Sequence, residues 1–343
     1  MSEAQTQEPA EGITTLTTTM NSKPFPRLLA DIGGTHARYA WQVDAFKPPS
    51  DIAVYPCSLH DSLLESIAHY LQVHVKPLPR AAGIGIATQI LSDRVEMTNH
   101  HWSFSISALK RALSLDRLVV INDFTALALS LPSLQSEDLY AIGPGTAVVN
   151  APRAVIGPGT GLGVSGLLPS AKGGYVPISG EGGHVTLAGD NPRELEVISV
   201  LKRRYGHASA ERAISGPGLV NLYVALNEVD SQTPQTLSPA EVMALAKSVQ
   251  DPFCVEALNL FFNFLGGIAG NLALTLGARG GIFIGGGIVP RSIDLLVESQ
   301  FRERFIQKGR YRDYLDAIPT WVIRANESPA LKGVAHALDL LQT

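Results

Sequence analysis

Short apolar runs that stop at glycine clusters recur three times along the chain. The segment RLLADIGGTHARYAW, 27–41, predicts a strand, a tight turn and a second strand, because apolar residues flank a glycine pair. AVIGPGTGLGVSGLL, 154–168, repeats that pattern and hints at an internal duplication. GGIFIGGGIVP, 280–290, predicts a strand running into a glycine turn. Further strands are expected over 81–88, 94–99 and 118–121. A helix is expected over 62–73, where Leu63, Leu64, Ile67, Ala68 and Leu71 share a face and Ser62 with Glu65 forms a capping box. Others are expected over 105–114 and over 124–131, where Pro132 stops the helix. The later part reads as mostly helical. Asn191-Pro192 opens a helix that Gly206 ends, Ser238-Pro239 with Glu241 opens another, Asp251-Pro252 opens a long one, and the last covers 329–342. The class is α/β with mixed sheets.

The long helix needs a membrane check. Residues 257–278 carry no charge and are numerous enough to span a bilayer. They also include Asn259, Asn263 and Asn271, with Gly266, Gly267 and Gly270, and polar groups in lipid are costly. A buried core helix is expected instead, with glycines that let another backbone come close. Residues 1–26 have no basic start and no apolar core, so they read as a weakly ordered tail rather than a signal peptide.

The chain has 343 residues, which at roughly 150 per domain suggests about two domains. No low-complexity linker divides them, so a shared cleft and hinge are expected. A net charge of -4 gives no sign of a nucleic-acid surface. Cys57 and Cys254 are far apart, form no metal-ligand spacing and no disulfide framework, and read as buried thiols in a reducing cytoplasm.

The glycine turns 33–35, 157–163 and 285–287 each follow an apolar strand. Backbone N–H groups exposed in such turns make concavities that bind anions. A P-loop is excluded, because no Gly-Lys pair occurs. GLGVSG, 161–166, matches GxGxxG, but Pro169 and Gly173-Gly174 prevent the helix that a dinucleotide turn must open. No GxSxG and no HExxH occurs. Asp31 ends the first strand beside a glycine turn, where a carboxylate either holds Mg²⁺, directly or through water, or caps the turn. Asn122-Asp123 sit between a buried strand and a helix, which suits a helix cap and also a group facing a cleft. Glu181 and His184, in GEGGH, either grip vicinal hydroxyls or belong to a solvated loop. Glu211, in SAERAISGPG, is either a ligand or a plain helix-surface acid.

Together LLADIGGTHAR, TNHHWSFSI, INDFTALALSLP, GPGTGLGVSG, GEGGHV, SAERAISGPGLVNLY and GGIFIGGGIVPR resemble the bacterial glucokinases of the actin/hexokinase/Hsp70 superfold. The motifs occur in order and cover 27–324. The resemblance implies a two-domain actin/hexokinase-like (ribonuclease H-like) fold with an interdomain cleft. The small α/β domain would hold 27–133 plus 325–343, the large one 134–324, after a tail over 1–26. ATP would lie on a first phosphate turn, Asp31, Ile32, Gly33, Gly34 and Thr35, and a second, Gly159, Thr160 and Gly161. Gly285, Gly286 and Gly287 would meet the adenosine side, and Mg²⁺ would lie near Asp31. Asn122, Asp123, Glu181, His184 and Glu211 would hold glucose or a related hexose, with Asp123 as general base. The family pattern further implies a cytoplasmic homodimer, with no zinc, nucleic acid or membrane partner. The chain departs from it at His36, usually Asn, and over 86–93, IATQILSD, which lacks the usual proline and glycine. The competing readings are a kinase for another hexose and a non-catalytic sugar sensor. A sensor of this fold generally adds a DNA-binding segment for which 1–26 is too short and too polar. A chaperone or filament ATPase would not need the sugar grip.

Overall fold

The computed structural model describes residues 24–98, 100–325 and 328–340. Most of the expected tail, Asn99 of the expected strand 94–99, and the end of the expected last helix lie outside the described residues.

The first sheet has the order β3-β2-β1-β4-β7, with β1 (Arg27–Ile32), β2 (His36–Gln42), β3 (Ser50–Pro56), β4 (Ala81–Ile86) and β7 (Arg117–Asn122). A small hairpin, β5 (Arg94–Glu96) with β6 (Ser103–Ser105), stands apart. The second sheet has the order β11-β10-β9-β12-β13-β8. Its strands are β8 (Leu139–Ile142), β9 (Arg153–Pro158), β10 (Leu162–Pro169), β11 (Tyr175–Ser179), β12 (Ile282–Ile284) and β13 (Thr320–Ile323). Each sheet contains an antiparallel three-strand meander whose opening strand pairs in parallel with a later one, and in the second sheet the short β8 precedes the meander. Thus β9, β10, β11, β12 and β13 take the places of β1, β2, β3, β4 and β7. The echo between 27–41 and 154–168 is a shared topology. β1 and β4 are covered on both faces, which explains their nearly unbroken apolar sequences.

The helices are α1 (Leu63–Val73), α2 (Ile106–Ala112), α3 (Asp123–Ser130), α4 (Pro192–Tyr205), α5 (Gly216–Val229), α6 (Pro239–Lys247), α7 (Pro252–Leu276), α8 (Ile293–Glu298), α9 (Phe301–Ile306), α10 (Arg312–Asp316) and α11 (Pro329–Leu340). Their starts follow the cap residues. Asn191 accepts from the Glu194 amide at 3.0 Å, Ser238 and Glu241 cap each other, and Asp251 accepts from the Cys254 amide at 2.9 Å. At α1 only half of the expected box forms. Ser62 accepts from the Glu65 amide, but the Glu65 carboxylate turns to the amide of Asp61 instead. Pro132 ends α3 through one 3-10 turn, 131–133.

Two helices join the sheets. α3 and α11 lie between them, sharing one apolar core with Leu29 and Val119 from the first sheet and Val155 and Phe283 from the second. They approach closely because Gly333 has no side chain, and a methyl group there would run into the carbonyl of Ala126. α7 is long and apolar enough to cross a membrane, yet 67% of its most apolar stretch is buried inside the protein. Gly266 and Gly270 seat it against the carbonyls of Phe301 and Phe305 in α9, the close backbone approach that the glycines foretold. The chain enters the second sheet at Leu139 and leaves it at Ile323, and these two residues are register partners on β8 and β13.

Candidate active site

The site is built around the start of α3. The Asn122 side chain is the helix cap, accepting from the amides of Phe124 at 2.9 Å and Thr125 at 3.2 Å. Its amide donates to the carbonyl of Thr88 at 3.4 Å. Asp123 accepts from the Phe124 amide at 2.9 Å. Burial, then the charge of Asp31 and more weakly that of Glu181, push the Asp123 carboxyl up to about 6. Cap and cleft are therefore compatible, with Asn122 taking the first role and leaving Asp123 to face the neighbouring acids.

Asp31 is the last residue but one of β1 and accepts from the Ser328 hydroxyl at 2.7 Å, with Arg38 at 3.5 Å. Burial raises its pKa, and Ser328 and Arg38 offset part of that. The turn after it, Gly33-Gly34-Thr35, is closed by the Gly33 amide donating to the His36 carbonyl at 2.9 Å. The second turn is closed by the Gly159 amide donating to the Gly161 carbonyl at 2.8 Å, leaving Thr160 at its tip. The third turn is fastened to the second. The Gly287 amide donates to the Pro158 carbonyl at 3.1 Å, and Gly286, at φ 79°, passes so close to Pro158 that no side chain fits. Phe124, the residue after the candidate base, fills the space over Gly157 and Gly163, so that a side chain at Gly163 would overlap its ring. Asp123 and the second turn are thereby linked through the contact of Phe124 with Gly157 and Gly163.

Glu181 and His184 are exposed on the loop after β11. That loop is anchored at both ends. Ser179 and Thr125 of α3 share a hydrogen bond of 3.1 Å, and Gly183 lies against the Leu162 carbonyl. Beyond His184 the chain is bridged to the segment before Glu211, with the Ala210 amide donating to the Val185 carbonyl at 2.8 Å and the Leu187 amide to that of Ala208 at 2.9 Å. Glu211 itself accepts from the Leu162 amide at 2.8 Å, directly after the second glycine turn. Among the described residues no hydrogen bond joins the His184 imidazole to the rest of the site.

Three participants were not legible as such in the sequence. Ser328 comes from far along the chain, and nothing local marks it. Phe124 looks like any apolar residue of a helix. Arg38 did leave a signal, because the three-residue turn places it opposite Asp31 in the β1–β2 register. The two departures also have places. His36 is exposed at the start of β2, paired with Pro56. The 86–93 segment begins on the site, with the Ala87 amide donating to the Ile32 carbonyl at 2.9 Å, and ends with Asp93 fixing the amide of Ser107 at 2.8 Å.

The donor set suits Mg²⁺ carried by phosphates. Among the described residues no cluster of three or more His, Cys, Asp or Glu forms a metal cage. Asp31 keeps one carboxylate oxygen clear of both Ser328 and Arg38, which contact the other. Mg²⁺ is ordinarily held by one or two carboxylates, water and substrate phosphates rather than by an all-protein cage.

The profile of the family described as Glucokinase matches residues 28–341. The glucokinase of Aromatoleum aromaticum is 52% identical over 319 residues, 93% of this chain and 96% of that protein. The crystal structure of a glucokinase from an Antarctic psychrotroph is similar with a TM-score of 0.83 and 38% identity, covering 92% of this chain and 98% of that one. A ROK family glucokinase from Streptomyces griseus, solved in complex with glucose and AMPPNP, shares the fold at a TM-score of 0.59 and 17% identity, covering 91% of this chain and 99% of that one. The fold is the actin/hexokinase-like one, and the chain belongs to the glucokinase family.

Proposed function

We propose that the protein transfers the γ-phosphoryl group of ATP to the 6-hydroxyl of glucose, with Asp123 as the base. The observation that carries the reading is the Asp123 carboxylate, fixed at the start of α3 with a pKa of about 6, beside Asp31 and joined through Phe124 to the second glycine turn. A base with that pKa is ionised at neutral pH and still basic enough to take a proton as the hydroxyl attacks. Family membership and the relative solved with glucose and AMPPNP support the same substrates.

In this reading Glu181, His184 and Glu211 accept from or donate to the ring hydroxyls, and Asn122 offers its amide. Glu211 uses one oxygen on the Leu162 amide and has the other for the sugar. The turns over 31–35 and 159–161 present backbone amides to the phosphates, and 285–287 borders the adenosine. Mg²⁺ bound near Asp31 would neutralise phosphate charge, which phosphoryl transfer needs more than covalent chemistry. We further propose the division into 27–133 plus 325–343 and 134–324, with closure on the sugar, and a cytoplasmic homodimer.

The test is a coupled assay of glucose 6-phosphate formation from glucose, ATP and Mg²⁺. Asp123→Asn should lose about 10²–10⁴-fold in kcat, the usual contribution of a positioned base. Silence with glucose but turnover of fructose, mannose or an amino sugar would reassign the substrate. Silence with every sugar would sink the kinase reading.

A further inference from the structure

A cavity of about 80 Å³ is lined in part by residues 187–190, which follow the loop carrying Glu181 and His184. At about 30 Å³ per water it has room for two or three waters, or for one small oxyanion. Its walls are residues 187–190, one face of α7 with Phe264, Gly267 and Asn271, and the end of α9 with Arg304, Gln307 and Lys308. Four of these side chains carry hydrogen-bond donors: Asn271, Arg304, Gln307 and Lys308.

The charges are unevenly matched. Arg304 is compensated twice, by the fully buried Glu194 at 2.9 Å and by Asp190 at 3.3 Å. Lys308 is half-buried, and among the described residues its ammonium makes no hydrogen bond or ion pair. Burial, with Arg304 nearby, lowers its pKa, although Asp190 works the other way. An unpaired cation in a cavity favours an anion that would neutralise it. Gly267 keeps the floor open, since a methyl group added there would meet nothing within 4 Å. None of these groups belongs to the phosphate turns or to the proposed sugar ligands.

We propose that this cavity binds the phosphate group of a small anion, with Lys308 as its counter-charge and Asn271, Gln307 and Arg304 as further donors, and that its occupancy is coupled to sugar binding. The coupling runs through the wall at 187–190. That wall continues from His184, and the bridges from Val185 to Ala210 and from Leu187 to Ala208 lead to Glu211. An anion that stiffens the wall stiffens the loop carrying the sugar ligands, and by linkage sugar tightens the anion by the same factor. This coupling rests on the proposed role of Glu181, His184 and Glu211, whereas anion binding at the cavity does not.

The experiment is calorimetric titration of inorganic phosphate into the full chain with the ATP site already saturated by Mg²⁺ and AMPPNP, with and without glucose. A parallel titration uses glycerol 3-phosphate. The wild type should bind one equivalent. Lys308→Met should weaken it at least tenfold, and Gly267→Leu, which fills the cavity, should abolish it. Both variants should keep the wild-type kcat when phosphate is absent. Tighter binding of glycerol 3-phosphate would identify the occupant as a phosphomonoester, and tighter binding of phosphate as the free ion. No binding by the wild type, or binding that survives both substitutions, would overturn the site. Phosphate binding that is sensitive to Lys308 but indifferent to glucose would overturn the coupling alone and leave the kinase reading untouched.

Discussion

The Asp123 carboxylate has a pH signature that follows from its surroundings. Its pKa is raised to about 6, first by burial and then by Asp31. A general base works only when deprotonated, so kcat/KM for glucose should rise with pH through about 6 and level off above it. A profile flat from pH 5 to 8 would contradict Asp123 as the base. Asn122 makes a different prediction. It caps α3 through two amides and reaches Thr88, so Asn122→Ala should cost about 1 kcal/mol in stability from the lost cap, readable in a urea titration. The roles of these neighbours could be read before the structure only as alternatives. Asn and Asp cap helices whether or not a cleft lies beyond, and the charges of Asp31 and Glu181 that distinguish the two come from distant parts of the chain.

Elements succeed or fail here through glycine contacts. Gly163→Ala should overlap the ring of Phe124 and displace the start of α3, so activity should fall by more than stability does, checked by kcat beside a thermal melt. Gly266→Ala pushes α7 off the Phe301 carbonyl, a form of overpacking that typically costs about 1–3 kcal/mol. Its melting temperature should drop, with little change in KM for either substrate in the folded fraction. Most of the apolar strands, most of the capped helices and all three glycine turns were legible because periodicity and cap chemistry are local, although α5, capped by Ser215, was not singled out. β3, β6, β8, β11 and β13 were not legible. β3 and β11 are edge strands with no buried residue, and β6, β8 and β13 have only three or four residues each, too short for a pattern to emerge. The fastening of the third turn to the second was also hidden, because it depends on which strands become neighbours.

At the scale of the molecule, two similar sheets face each other across α3 and α11, and the glycine turns proposed to hold the phosphates come from both. If sugar drives their closure, ATP hydrolysis without sugar should be very low, because water would otherwise compete with the sugar hydroxyl. A sugar-independent ATPase rate near the kinase rate would contradict this. The family resemblance made that organisation readable early, since seven ordered motifs carry more than any one turn. The doorway where Leu139 meets Ile323 has a further consequence, for synthesis on the ribosome. The first sheet and α3 emerge early, yet α11, which covers them, is translated only after the whole second sheet. At about 5–20 residues per second, the intervening stretch of about 200 residues, 131–328, takes on the order of 10–40 s. Through that interval the helix that carries Asp123 lacks its main neighbour. The nascent chain should therefore stay inactive and vulnerable to proteases until its last helix is released.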